Sequence, residues 1–286
     1  MPELPELENV RSQLENRLVG QRIHAVDVDP KRGPIVLRDL TGAGFEPALV
    51  GARLADVRRR GKFILVEFQD RPTTLAINPK LAGRLQLCPP DQRRLAATLL
   101  TLVFADLNLE LRYLDDKQMG QIYLAQDPQV IPTFGEMGPG AFEISRQEFH
   151  SRLRRFHGEI KGVLAREQFI AGIGNAYADE ILWQAGLHPY RKRPSLAGEE
   201  VDHLYDAIRI TLLEAGHLAR EAMGSAIDGK PRDFFQVHLR GGQPCPRCGT
   251  SISEIRARRR VTNFCRTCQP GGLFADMGGR RGSAVE

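Results

Sequence analysis

The sequence predicts an α+β protein of more than one domain: an N-terminal antiparallel β domain fronted by a helix, then a helical domain ending in a zinc ribbon. Three observations predict it. Short β-patterned runs broken by Gly, Pro and Asp fill the first 130 residues with no helix between them, helical periodicity takes over from about 145, and four late cysteines form two C-x2-C knuckles. At 286 residues the chain is long enough for two domains, each with its own core.

The first element is a helix over 4–18, because Leu7, Val10, Leu14 and Leu18 recur on one face. The strand candidates are "RIHAVDV", "KFILVEF", "TTLAIN", "RLQL", "ATLLTLVF", "LELRYL" and "QIYLA", spaced as in an antiparallel sandwich or barrel. This domain spans 1–130. The aperiodic, Pro- and Gly-rich stretch around 131–144 reads as a linker. Helical patterns follow over 145–233, namely "SRQEFHSRLRRF", "EIKGVLARE", "NAYADEILWQAGL" and a long run with Val201, Leu204, Ile208 and Leu212 on one face. The cysteine module covers 234–269, and 270–286 reads as a flexible, Gly-rich tail. There is no internal repeat.

Composition, at 42% hydrophobic and 26% charged residues, is that of a soluble globular chain. No stretch approaches the ~18 uninterrupted apolar residues of a membrane span, and no secretory signal pattern precedes Pro2. A cytoplasmic protein without a membrane partner is expected. The net charge is +5, and basic residues concentrate late, where Arg256, Arg258, Arg259, Arg260 and Arg266 are opposed only by Glu254. By itself such a run is as often a solvated face as a nucleic-acid surface.

Cys245, Cys248, Cys265 and Cys268 form C-x2-C-x16-C-x2-C, a spacing that suits one structural zinc ion held by four thiolates. Cys88 stands alone and reads as a buried thiol. Because the arginine run lies between the knuckles, a zinc-held hairpin would present it rigidly to phosphates, which favours a nucleic-acid partner. In "AGIGNAYADE" no dinucleotide signature follows the glycines, so that reading is excluded. Two readings remain: a tight turn, or a turn between helices where Gly172 and Gly174 admit a phosphate and Asn175 donates to it.

"MPELPELE" poses a separate question, since a proline at position 2 serves either as a helix start or as a terminal amine. Removal of the initiator methionine would leave Pro2 with an α-amino pKa near ~8, partly unprotonated at neutral pH and nucleophilic toward a sugar carbon. Glu3 beside it could move a proton, and Lys62 in "RRRGKFIL" could supply a cation.

Together these motifs resemble the formamidopyrimidine-DNA glycosylase/endonuclease VIII family, from Pro2 to Gln269. "PELPELE" is similar to its N-terminal catalytic stretch, "GKFIL" to its lysine strand, "GIGNAYADE" to its helix-two-turns-helix motif, and the cysteines to its zinc finger. The resemblance implies a β-sandwich domain and a bifunctional base-excision repair enzyme acting as a monomer on damaged double-stranded DNA. Such an enzyme excises oxidised or ring-opened bases through a Schiff base on Pro2, then cleaves the strand by β/δ-elimination. Glu3 matches the acid/base residue, Glu6 a second acid near the lesion, and Lys62 a phosphate-contacting lysine that assists the chemistry. Asn175 and Arg260 match phosphate-binding residues.

The family's formamidopyrimidine branch inserts methionine, arginine and phenylalanine into the gap left by the flipped base; here the matching positions are Leu81, Lys117 and Met119. Leucine and methionine remain apolar wedges, whereas Lys117 lacks the planar fork of arginine for reading the orphaned base. Between "EAMGS" and "DGKPRDFFQ" only a stump remains of the loop that caps the flipped base, so 8-oxoguanine opposite cytosine is not expected to be the preferred substrate. The alternatives are a catalytically weak damage- or abasic-site-binding protein of the same fold and, more distantly, a zinc-ribbon transcription or replication factor. Neither explains Pro2, Glu3, Glu6 and Lys62 together.

Overall fold

Helix α1 (Leu4–Leu18) begins one residue after Glu3, which is its N-cap, and its first-turn proline is Pro5. The Glu6 carboxylate accepts the backbone N–H of Glu3 at 2.8 Å, part of a capping box, and favours the positive end of the helix. Leu7, Val10, Leu14 and Leu18 are all buried, as their spacing predicts. The computed structural model to which this helix belongs describes residues 1–69, 71–257 and 260–271. It divides into two compact units: Met1–Met137 with Gly216–Pro231, and Gly138–Ala215 with the described residues from Arg232 on.

The first unit is a sandwich of two sheets. One has the order β1 (Ala25–Val28), β7 (Thr98–Phe104), β8 (Leu109–Leu114), β6 (Arg84–Cys88), antiparallel throughout. The other has the order β2 (Leu37–Asp39), β9 (Gln121–Ala125), β5 (Thr74–Asn78), β4 (Phe63–Phe68), β3 (Leu54–Arg60). Its β2–β9 pair is parallel, a departure from an all-antiparallel expectation. Short helices α2 (Gly33–Val36) and α3 (Phe45–Leu49) flank β2. Inward residues of both sheets, among them Ile64, Val66, Leu75, Leu100, Leu111 and Ile122, share one core with the buried face of α1. Met223 and Ile227 are buried in that same core, which is why 216–231 belongs with this unit although its first residues continue a helix that begins at Gly198. Strand β3 escapes a sequence reading because Arg58, Arg59 and Arg60 end it. Leu54 and Val57 still point inward, while Arg59 bonds Glu8 of α1 at 2.8 Å and Arg58 pairs with Glu67.

The second unit holds α4 (Arg146–Leu153), α5 (Ile160–Leu164), α6 (Asn175–Gln184) and the portion of α7 (Gly198–Met223) before Gly216. Ser145 caps α4 by accepting the Glu148 N–H. Phe149 packs against Phe169 and Tyr205. Strands β10 (Ser253–Ala257) and β11 (Arg260–Phe264) pair as a hairpin. Arg258, Arg259 and residues 272–286, including most of the expected tail, lie outside the described residues. No described helix is long and apolar enough to cross a membrane.

Candidate active site

Pro2 lies ahead of the N-cap, so the helix owes its proline start to Pro5 and not to Pro2. Pro2 is buried and, with Glu6, Leu7 and Val10, lines a small cleft open to solvent. Pro79, Arg84 and Leu85 line it as well, as do Ile227, Asp228, Gly229 and Lys230. Glu3 is buried and held to Glu6 through its backbone. Lys62 is buried in the turn between β3 and β4, the strands that α1 packs against, and Gly61 at φ +55° makes that turn possible.

Leu81 and Met119 are among the most exposed apolar side chains of this unit, at 56% and 45%. Leu81 stands in the turn between β5 and β6, and Met119 with exposed Lys117 in the loop between β8 and β9. Lys230 reaches the Leu81 carbonyl at 3.4 Å, which ties the short 226–230 stump to that turn.

In the second unit Asn175 opens α6, and its side-chain amide donates to the Val261 carbonyl at 2.9 Å. Val261 follows exposed Arg260 in β11, so Asn175 and the start of the hairpin's return strand are joined directly. Lys161 donates to the same carbonyl at 2.8 Å and pairs with Asp179, which also holds His238 at 2.7 Å. Glu180 accepts the backbone N–H groups of Gln236, Val237 and His238 at 2.8, 2.9 and 2.7 Å. Burial pushes the Glu180 carboxyl above its ordinary value, against the pull of those three donors.

The four sulfurs of Cys245, Cys248, Cys265 and Cys268 lie within 4.8 Å of one another. Tetrahedral zinc with bonds near ~2.3 Å requires sulfur separations of about 3.8 Å. Cys245–Cys268 at 3.8 Å matches that separation, and Cys248–Cys265 at 3.4 Å lies a few tenths of an ångström inside it. Hydrogen bonds from the Thr250 hydroxyl and amide lower the Cys248 thiol, whereas burial and the neighbouring thiols raise Cys265 and Cys268, so it is the clustering of the four sulfurs that marks the metal site. The indole N–H of Trp183 donates to Cys245 at 3.4 Å, an outer contact that fixes the ligand.

The N-terminal domain model of formamidopyrimidine-DNA glycosylase matches residues 1–122, its H2TH domain model residues 137–226, and the zinc finger found in FPG and IleRS residues 242–271. The chain belongs to the formamidopyrimidine-DNA glycosylase family. The formamidopyrimidine-DNA glycosylases of Symbiobacterium thermophilum and Heliobacterium modesticaldum are each 36% identical to it. The alignments cover 94% of this chain and 90% and 100% of theirs. A solved complex between the Lactococcus lactis Fpg and an abasic-site-containing DNA superposes with a TM-score of 0.83 at 32% identity. It covers 94% of this chain and 100% of that one.

Within this family frame, sequence reasoning did not single out Arg84, Asp228 or Lys230 as cleft residues. They are far apart in the chain, and only the turn residues Gly83 and Gly229 beside them carried a local signal. Lys161, Asp179 and Glu180 were likewise missed, since each reads as an ordinary helix-surface charge until its partners are known.

Proposed function

We propose that this chain is a base-excision repair DNA glycosylase with AP lyase activity, acting as a cytoplasmic monomer on damaged double-stranded DNA. The observation that carries the reading is Pro2: buried, outside the helix it precedes, and on the wall of a cleft with Glu6.

Once Met1 is removed, the Pro2 nitrogen is a secondary amine with a pKa near ~8. Its lone pair attacks the anomeric carbon of the damaged nucleotide, the glycosidic bond breaks, and the base leaves with that electron pair and takes up a proton. The nitrogen then gives up its proton and the ring opens. The sugar's ring oxygen takes a proton, and an iminium joins Pro2 to the open deoxyribose. Loss of the adjacent carbon's proton expels the 3′ phosphate, a second elimination expels the 5′ phosphate, and water releases Pro2. Glu3 carries the proton to the ring oxygen, Glu6 serves as the second acid by the lesion, and Lys62 contacts a neighbouring phosphate.

Asn175 and Arg260 bind phosphates, Leu81 and Met119 fill the gap left by the extruded base, and Lys117 faces its former partner. Cys245, Cys248, Cys265 and Cys268 would hold one zinc ion, whose part would be to order the hairpin. The 226–230 stump lines the cleft where a longer loop would cap a flipped purine, which supports a lesion other than 8-oxoguanine opposite cytosine.

Borohydride reduction in the presence of abasic-site DNA tests the reading. A covalent adduct forms, mass spectrometry maps it to Pro2, and Pro2→Gly weakens it. An adduct on another side chain, or none with intact protein, overturns the mechanism.

A further inference from the structure

We propose that Tyr113 and Asp115 are positioning residues for base extrusion, locking the loops that carry Leu81, Lys117 and Met119 into one block. The proposal rests on the reading of those three side chains as the ones that enter the duplex.

Strands β6 and β8 pair with Leu85 opposite Tyr113 and Arg84 opposite Leu114. The turn before β6 and the loop after β8 therefore leave the sheet at the same end. Tyr113 is buried in the sandwich core, and its hydroxyl emerges between the two backbones. A methyl group at either Gly83 or Gly120 would overlap that hydroxyl and lie 2.8 Å from the ring carbon bearing it. Both glycines are thus required by one oxygen atom, and through it each loop presses on the other.

Asp115, only 1% exposed, completes the lock. Its Oδ2 accepts the Tyr113 hydroxyl at 3.3 Å and the Gly120 N–H at 2.6 Å, while Oδ1 accepts the Lys117 N–H at 3.1 Å. One carboxylate therefore grips the backbone on both sides of Met119. Arg84 adds a second tie, reaching Asp116 at 3.5 Å. Burial pushes the Tyr113 hydroxyl far above its ordinary value, so it stays a neutral donor.

The need for such a grip shows in the backbone. Gln118 at φ +52° sits between Lys117 and Met119, and Lys80 at φ +49° precedes Leu81. Left-handed conformations of this kind persist in non-glycine residues where their surroundings over-determine them. A side chain that must replace an unstacked base works best when its loop is ordered beforehand, because ordering it during extrusion would add to the barrier.

Asp115→Asn and Tyr113→Phe test the inference, with two readouts. In the free protein, Asp115→Asn keeps one acceptor oxygen and turns an NH2 toward the other amide, so hydrogen exchange at Lys117 or at Gly120 accelerates at least tenfold. In single-turnover assays both variants release a paired damaged base at least tenfold more slowly, yet cleave a preformed abasic site within twofold of the unaltered protein, since no base remains to be extruded. Unchanged exchange, unchanged base release, or an equal fall in both reactions overturns the proposal. Tyr113→Phe removes a single oxygen, so it remains informative if Asp115→Asn fails to fold. Should the unaltered protein show neither activity, the functional reading fails, and the exchange rates still decide whether Asp115 holds the loop.

Discussion

Replacing Cys248 with serine isolates what the zinc ion contributes. Cys248 is the exposed member of the four, so Cys248→Ser removes a ligand while leaving the packing intact. The module's apolar core is small: Val237, Cys245, Ile252 and Cys265, with Trp183 and Cys268 against it. Two aliphatic side chains in that core supply about 3–6 kcal/mol by burial, against about 10–16 kcal/mol for a structural zinc site. A two-stranded hairpin has little stability of its own. Strand β11 is also tied to α5 and α6 through Lys161, Asn175 and Asp179, so what loss of the metal is expected to free is the pairing of β10 with β11. Hydrogen exchange should show protection at Ile255 and Thr262, which stand opposite each other, falling at least a hundredfold, with the sandwich amides, such as those of β4 and β5, unchanged. Affinity for abasic DNA should fall at least tenfold, because Arg260 is no longer held. A zinc-free Cys248→Ser protein that keeps hairpin protection and DNA affinity would refute the reasoning.

Glu180→Ala leaves the N–H groups of Val237 and His238 buried without their acceptor, at about 1–3 kcal/mol for each group. Urea unfolding followed by Trp183 fluorescence should show the second unit weakened by at least about 2 kcal/mol. A second test concerns pH. Burial raises the Glu110 carboxyl, but bonds from Arg94 and from wholly buried Arg112 outweigh it and hold the group below its ordinary value of 4.5. A lowered folded value means stabilisation that is present above pH 4.5 and lost as pH falls through the folded value. Glu110→Gln should flatten the acid limb of melting temperature against pH, and an unaltered acid limb would contradict the pairing.

Local pattern made much of this fold legible. The helix over 4–18 and the strands at 109–114 and 121–125 coincide with their runs, because each keeps its period from end to end. Where the pattern is interrupted the sequence misleads. The arginines of β3 look like a loop until Glu8 and Glu67 are seen beside them, and β2 is too short for any period to register. Pro5 and Pro2 look alike in "MPELPELE", and only the helix boundary separates the residue that starts α1 from the one that does not.

By itself the sequence determined the zinc ligand set, the turn at Gly172 and Gly174, and the N-terminal stretch, since each is a covalent spacing or a short-range backbone preference. The tertiary structure decided which groups share a space. It decided that Pro2 and Glu6 line one cleft with Arg84 and Asp228, that Glu180 serves three amides some 56–58 positions along the chain, and that one tyrosine oxygen meets two glycines. Such meetings depend on how sheets stack and loops return, and residues distant in sequence carry no local mark of them.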